Sequence, residues 1–354
     1  MVLGAAEGCF VLLTGREIHG NVLVSVCMYG YLVTCVFGDN RGGAMKQIPF
    51  GTTGVQVSEM CLGAMHFGSN TPDGTSIELL DAYVERGGAF IDTANIYNRD
   101  APGCKGGESE RLIGRWMKER GNRSELFLAT KVGMHYPGQP EGLRAAQIEE
   151  ECNKSLSRLG VDVIDLYYAH ADDRETPLEE SLEAFNRLVL AGKVRFIGAS
   201  NYLPTRFVEA RCASRENGWA AYTCIQQRYS YLRPRPGADF GIQKATDESL
   251  LDYCRSHDLP LVGYAPMLKG AVAFRDDIPL RGQYDCEDGR ERLATLKEVA
   301  NDLGASPAQV TLAWMRHQEG TVIPLIGVSR IEQLHENLGA LELHLDDEVM
   351  RRLA

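Results

Sequence analysis

Short apolar runs that end in polar residues recur along this chain, and stretches of helical periodicity lie between them. Runs of this length, bounded by polar or turn residues, are typical of buried strands. The predicted strands span residues 60–64, 90–92, 126–131, 163–170, 194–201, 223–227, 260–265 and 322–326. Helices with one apolar face are predicted over residues 108–119, 145–159, 177–190, 204–216, 247–257 and 307–317, and another ends at Gly87–Gly88.

This alternation of strands and helices predicts the fold class. Strands separated by helices favour a parallel sheet, and about eight such units in one chain favour an α/β fold of the (β/α)8 TIM barrel type. No Gly-x-Gly-x-x-Gly follows a strand, so the doubly wound dinucleotide fold lacks its fingerprint. Residues 47–57 predict a β-hairpin that turns at Gly51–Gly54. Asp247 is the predicted cap of the helix that it begins.

Reactive side chains occupy the same end of successive predicted strands. Asp92 ends one strand and Tyr97 follows five positions later, while Lys131 and His170 end the next two strands. The following strand ends in the polar pair Ser200–Asn201. A parallel barrel collects these ends at one face, and that face holds the active site of barrel enzymes. The sequence therefore predicts a site there.

Each of these residues also has an ordinary structural explanation when it is taken alone. Asp92 could cap a turn, Tyr97 could be a packing residue, Lys131 could be a strand-end charge in solvent, and His170 could be a hydrogen-bonded core histidine. Four such coincidences at positions on the same side of a barrel are a much weaker explanation than one site built from convergent groups.

These residues resemble the catalytic set of the aldo-keto reductases: Asp92-Thr93-Ala94 with Tyr97 three residues on, then Lys131 and His170. Gly198–Asn201 and Gln226 with Tyr229 resemble that family's nicotinamide-binding motifs. The resemblance covers roughly residues 46–354 and is closest to the potassium-channel β-subunit-like and aryl-alcohol dehydrogenase-like branch. It implies that the hairpin closes the bottom of the barrel.

The resemblance implies carbonyl reduction, in which a nicotinamide cofactor supplies hydride and Tyr97 donates the proton. A phenol with an ordinary pKa near 10 is a weak acid at neutral pH, and a neighbouring ammonium lowers that pKa. Lys131 is therefore expected to lower the pKa of Tyr97, with Asp92 paired to Lys131. His170 is expected to orient the substrate oxygen.

The resemblance also assigns cofactor contacts. Ser200, Asn201 and Gln226 are expected to bind the nicotinamide carboxamide, and Tyr264 to stack on its ring. The other expected contacts lie in two later segments: Ala265, Met267, Lys269, Gly270, Gly327, Ser329, Arg330, Gln333, Glu336 and Asn337. Two positions depart from the family pattern, because Ala265 stands where a Ser is usual and Asn98 stands where Gly often follows the Tyr.

Arginines near the adenosine end favour NADPH/NADP+ over NADH. Ser329 at a predicted helix start suits a phosphate, and Arg330 beside it suits a 2′-phosphate. Arg275 and Arg281, in the loop after the seventh strand, could add to that contact or could be solvated loop charges.

Composition narrows the partners and the compartment. The chain has 354 residues, 44% hydrophobic and 24% charged, as in ordinary soluble globular proteins. A formal net charge of -11 disfavours nucleic acid or an anionic membrane as the main partner. Ten scattered cysteines with no Cys-x-x-Cys pair favour reduced thiols in the cytoplasm and argue against a metal site.

Residues 1–44 differ from the rest of the chain. Val22–Gly38 is an apolar run of about 17 residues, at the lower limit for spanning a bilayer, and it contains polar residues. Family members commonly begin with a segment like the one after Met45. Residues 1–44 are therefore expected to be an accessory or misannotated extension that is poorly ordered, and a membrane anchor is the alternative.

Two function classes remain open from the sequence. One is a reductase of aldehydes or ketones with a small-molecule carbonyl substrate. The other is a cofactor-binding regulatory subunit of the potassium-channel β type, since such proteins keep the same four catalytic residues. The loops that would select a substrate do not reveal it by their composition.

Overall fold

The computed structural model describes residues 14–18, 21–28, 31–38, 44–273 and 278–354. The chain divides into two compact units, Met1–Ala44 and Met45–Ala354.

The described part of the first unit is a three-stranded antiparallel sheet in which β2 lies between β1 and β3. Its strands are β1 (Thr14–Ile18), β2 (Asn21–Met28) and β3 (Tyr31–Gly38). The described residues of the apolar run 22–38 thus fall in β2 and β3. Over the described ranges, no helix combines the length and apolar character needed to cross a bilayer. The accessory role and poor order expected for residues 1–44 stay predictions.

The second unit is a closed parallel barrel, which confirms the predicted fold. Its eight strands lie in chain order around the barrel, and the last pairs with the first. They are β6 (Cys61–Gly63), β7 (Phe90–Asp92), β8 (Phe127–Val132), β9 (Ile164–Ala169), β10 (Val194–Ser200), β11 (Ile225–Arg228), β12 (Leu261–Tyr264) and β13 (Val322–Gly327). Each lies within two residues of its predicted bounds.

Helices cover the outside of the strands. The described ones are α1 (Asp73–Glu85), α2 (Glu108–Arg120), α3 (Ala145–Leu159), α4 (Leu178–Leu190), α5 (Pro204–Glu216), α6 (Glu248–Ser256), α7 (Glu287–Asp302), α8 (Pro307–Arg316), α9 (Ile331–Leu338) and α10 (Asp347–Arg352). The sequence analysis did not predict α7 or α10. Charged residues occur throughout α7 and Gly289 lies in its first turn, while α10 is only six residues long, so neither shows a clear apolar face.

Local signals account for several helix ends. The Asp247 carboxylate accepts a hydrogen bond from the Leu250 amide at 2.9 Å, so this predicted cap of α6 is confirmed. Ser306 and Gln309 form a reciprocal capping box at the start of α8. Gly121 and Gly160 end α2 and α3 in the left-handed conformation, which glycine adopts without steric cost.

The hairpin closes one end of the barrel, as predicted. Its strands β4 (Gln47–Pro49) and β5 (Gln56–Ser58) are antiparallel. Phe50 follows β4, and its ring lies 5.9 Å from that of Phe90 and 5.2 Å from that of Phe127, between ring centroids. Phe90 and Phe127 begin their strands, so the hairpin seals the N-terminal end and leaves the C-terminal strand ends for the site.

Candidate active site

Lys131 is the centre of a buried polar group at the C-terminal strand ends. It lies in β8, and its side chain, like that of Asp92 at the end of β7, has no exposed surface. Its ammonium forms an ion pair with the Asp92 carboxylate and donates to the Thr93 carbonyl at 2.8 Å. The Lys131 Nζ also lies 2.8 Å from the Tyr97 hydroxyl. A buried charge pair is tolerated when its remaining groups are hydrogen-bonded, as they are here.

A tight turn carries Tyr97 back over Lys131. The Tyr97 amide donates to the Ala94 carbonyl at 3.2 Å. Asn98 then takes a left-handed conformation with φ 73°, and its side-chain amide donates to the Phe67 carbonyl at 2.7 Å. Asn tolerates this region better than most residues, which explains how it can stand where the family often has Gly.

The pKa of Tyr97 differs from the sequence prediction. Burial raises it well above the usual value, and the negative charge of Asp92 adds to the shift. The predicted lowering by Lys131 is therefore wrong for this structure, because the cost of placing a phenolate in a dry site outweighs the attraction of the ammonium. The phenol consequently keeps its proton at neutral pH.

His170 lies beside Tyr97, directly after β9. The two rings meet edge to face with centroids 6.1 Å apart. Burial lowers the pKa of His170 well below its usual value, and the cations Lys131 and Arg99 lower it further. The imidazole is therefore neutral at pH 7. Its Nδ1 is buried without a hydrogen-bond partner among the described residues.

Gln226 and Asn201 form hydrogen bonds to Asp92 and His170, respectively. Gln226, in β11, donates to the second Asp92 oxygen at 2.8 Å. Asn201 donates to the His170 carbonyl at 2.8 Å and to the Ser200 hydroxyl at 3.1 Å. Sequence reasoning assigned these residues to a carboxamide and missed these bonds, because no local pattern marks a partner 134 residues away.

Tyr264, at the end of β12, is hydrogen-bonded to Asn201. Its hydroxyl donates to the Asn201 side-chain oxygen at 2.7 Å. The chain beyond it contains three non-glycine residues with positive φ: Ala265 at 56°, Leu268 at 47° and Lys269 at 61°. Such conformations cost energy and gather at ligand-binding segments. This strained segment directly follows Tyr264, which is hydrogen-bonded to Asn201.

The other predicted cofactor residues follow β13, the neighbour of β12. A helix, α9, begins after Arg330 as expected, and Arg330 is exposed. The Ser329 amide and hydroxyl lie 2.9 and 3.2 Å from the Gln333 side-chain oxygen, so these two predicted residues contact each other. Glu336 is exposed and Asn337 is buried.

The remaining cofactor candidates differ in how exposed they are, and one of them lies outside the described residues. Gly327 is exposed at the end of β13, and Met267 and Gly270 are half-buried in the segment after β12. Arg281 is exposed, whereas Arg275 lies outside the described residues. Within the described residues, no three His, Cys, Asp or Glu side chains are placed to share a metal ion.

The fold is a closed parallel barrel, and a buried Lys–Asp pair lies beside a tyrosine and a histidine at its C-terminal face. The chain belongs to the Aldo/keto reductase family, whose sequence profile matches residues 59–354. It is thereby placed among oxidoreductases that act on carbonyl and alcohol groups, and such proteins generally use nicotinamide cofactors.

Individual relatives agree with this placement. The uncharacterized oxidoreductase YrpG of Bacillus subtilis (strain 168) is 32% identical over 322 residues, covering 87% of this chain and 95% of the relative. The norsolorinic acid reductase stcV of Emericella nidulans is 33% identical over 318 residues, covering 83% and 77%. A structure of the thermostable aldo-keto reductase Tm1743 with the inhibitor epalrestat matches with a TM-score of 0.69 at 28% identity, covering 87% of this chain and 98% of that one.

Proposed function

We propose that this protein is an NADPH-dependent reductase that converts aldehydes or ketones to alcohols, with Tyr97 as the proton donor. The observation that carries the proposal is the Lys131 ammonium, which is buried and held by Asp92 while it lies 2.8 Å from the Tyr97 hydroxyl. A lysine that only ended a strand in solvent would have neither this burial nor this partner.

The residues divide the proton chemistry among them. Tyr97 holds its proton before reaction, and the Lys131 ammonium stabilises the phenolate that develops as the proton leaves. Asp92 keeps Lys131 charged and in place, although burial lowers the Lys131 pKa. Neutral His170 offers an N–H to the substrate oxygen and so fixes its direction.

The dinucleotide, when bound, supplies the hydride to the carbonyl carbon. Ser200, Asn201, Gln226 and Tyr264 would hold its nicotinamide end, since they share the strand ends with Tyr97. The segment 265–270 and the start of α9 would hold its phosphates, where backbone amides and the helix dipole favour anions. We also propose that the protein is cytoplasmic, as its scattered cysteines led us to expect.

The direct test is NADPH oxidation across aromatic aldehydes, quinones, sugars and norsolorinic acid, the last because of the relatives named for it. Turnover of at least one carbonyl is expected, and it should require Tyr97. Tight NADPH binding with no turnover on any carbonyl would instead favour the regulatory role that potassium-channel β-type proteins play.

Cofactor preference is a separate prediction. Arg330 should give NADPH the tighter binding, because a 2′-phosphate gains at least one charge-assisted hydrogen bond, worth about 1.5–3 kcal/mol or roughly ten- to a hundredfold in Kd. Fluorescence titration should show this preference in the native protein and its loss in Arg330→Met. The matched control is Arg351→Met, an exposed arginine in α10 that is not among the predicted cofactor residues. Equal affinities of the native protein for NADPH and NADH would refute the assignment.

A further inference from the structure

We infer that Glu151 is a positioning residue that holds the Tyr97 turn from outside the barrel. Glu151 lies in α3, one of the helices outside the strands, and its carboxylate has no exposed surface. The inference rests on the proposed function in so far as Tyr97 is the proton donor.

One oxygen of Glu151 holds the turn directly. Its Oε2 accepts a hydrogen bond from the Asn95 side-chain amide at 2.7 Å. Asn95 is buried, two residues before Tyr97, and its backbone amide donates to the Lys131 carbonyl at 3.3 Å. Asn95 therefore links Glu151 both to the turn that carries Tyr97 and to the backbone of Lys131.

Tyr136 provides a second link between Glu151 and the turn. Its hydroxyl lies 2.9 and 2.8 Å from the two carboxylate oxygens. Its ring packs in a small apolar cluster with Ala94, Ile96 and Tyr97. Burial and the neighbouring Glu151 raise the pKa of Tyr136 to about 12, so its hydroxyl stays protonated and keeps donating. Glu151 thus supports the turn through a hydrogen bond on one side and a packed ring on the other.

A buried carboxylate is costly, and its contacts show why it persists. Lys154 balances its charge at 2.9 Å, and Arg158 lies 4.0 Å away. An ionised carboxylate has about four acceptor sites, enough for Asn95, Tyr136 and Lys154 together. A glutamine of the same shape has one acceptor oxygen with two lone pairs, so it cannot accept from Asn95, Tyr136 and Lys154 together. Its NH2 group would face either the Asn95 amide or the Lys154 ammonium.

The chain offers a matched control in Glu110. Its carboxylate is equally buried and pairs with Arg158, and it accepts from the Thr130 hydroxyl at 2.6 Å. None of the contacts described for Glu110 reaches the turn 94–98. The charge of Glu110 does raise the pKa of Lys131, and Glu151 is not among the main influences on that pKa. Glu110→Gln therefore removes a buried charge from the same region without removing support from Tyr97.

The first experiment compares Glu151→Gln and Glu110→Gln in the native and Tyr97→Phe backgrounds. Glu151→Gln should lower kcat by about ten- to a hundredfold, the usual effect of a small misplacement of a reacting group, and leave the Kd for NADPH within about twofold. In the Tyr97→Phe background it should lower kcat no further, because the group that it positions is gone. Glu110→Gln should lower kcat by less than Glu151→Gln, because it changes only the charge near Lys131 and leaves the turn in place.

The second experiment does not depend on activity. Amide hydrogen exchange of a peptide that contains residues 94–98 should be roughly tenfold faster in Glu151→Gln and unchanged in Glu110→Gln. If Glu151→Gln fails to fold, Tyr136→Phe removes one of the two links and keeps the ring, and it should give the same changes at smaller size.

The outcomes separate the two proposals. Additive losses of kcat in the Tyr97→Phe background, or unchanged exchange at 94–98, would overturn the role of Glu151. Absence of turnover in the native protein would overturn the proposed reductase function, and the exchange measurement would still decide whether Glu151 holds the turn.

Discussion

The two ends of the barrel are built from the same strands and carry opposite kinds of side chain. In β8, Phe127, Ala129 and Lys131 alternate onto the inner face, so one strand runs from an aromatic ring at the hairpin end to an ammonium at the site end. In β7, Phe90 and Asp92 repeat the contrast within three residues.

This contrast shows that depth of burial does not distinguish a stabilising end from a reactive one. Phe90 and Lys131 are both fully buried. At the hairpin end the rings gain stability by leaving water. At the site end the buried groups include the charged pair Lys131–Asp92, which is held by hydrogen bonds. Changes there should therefore lower turnover more than they lower stability. Four changes test this difference, from the largest expected effect to the smallest.

Tyr97→Phe should break the site end alone. It removes the proton donor and keeps the ring, so turnover should fall by about a hundred- to ten-thousandfold, the usual contribution of general acid catalysis. The Kd for NADPH should stay near the native value, because the proposed cofactor contacts lie on other strands. Steady-state kinetics with the best carbonyl from the screen is the measurement. Near-normal turnover would show that the proton comes from elsewhere, with His170 the next candidate.

Phe50→Ala should break the hairpin end alone. Loss of a fully buried phenylalanine should lower the free energy of unfolding by about 3–5 kcal/mol, through lost burial and the cavity left behind. Denaturant unfolding measures the change, and the exposed Leu190→Ala is the matched control. The folded Phe50→Ala protein should keep its kcat. A large fall in kcat at unchanged stability would contradict the separation of the two ends.

His170 should make stability depend on pH at the site end. Its folded pKa lies well below 6.5, so the unfolded chain binds a proton that the folded protein does not as the pH falls below about 6.5. Its contribution to stability is therefore present above pH 6.5 and is lost on acidification, by at most about 1.4 kcal/mol per pH unit. Unfolding of the native protein and His170→Gln at pH 7 and 5.5 should show a smaller loss in the variant; equal losses would contradict this.

Removal of residues 1–44 should affect neither end. The hairpin begins at Gln47, so a chain that starts at Met45 retains both the closing rings and the site. It should be soluble, with native kcat and an unchanged unfolding transition for the barrel. An insoluble or inactive product would show that the first segment packs on the core.

Local patterns were sufficient for the barrel and for the end of it at which Asp92, Lys131 and His170 lie. Apolar runs located every barrel strand, and the polar residue at each strand end indicated which face would hold Asp92, Lys131 and His170. One failure was also local in origin. Since α7 has charge on most of its turns, its helical period carries little apolar signal, and it was missed.

The sequence by itself determined the strand order, the reactive residue types and their common end, because these depend on periodicity and on short-range steric preferences. Only the tertiary structure decided which groups meet. Gln226 reaches Asp92 and Glu151 reaches Asn95 because barrel closure brings distant segments together. The direction of the Tyr97 pKa was decided in the same way, since burial acts through all the atoms that exclude water, and no motif records how many of them a fold will place around one hydroxyl.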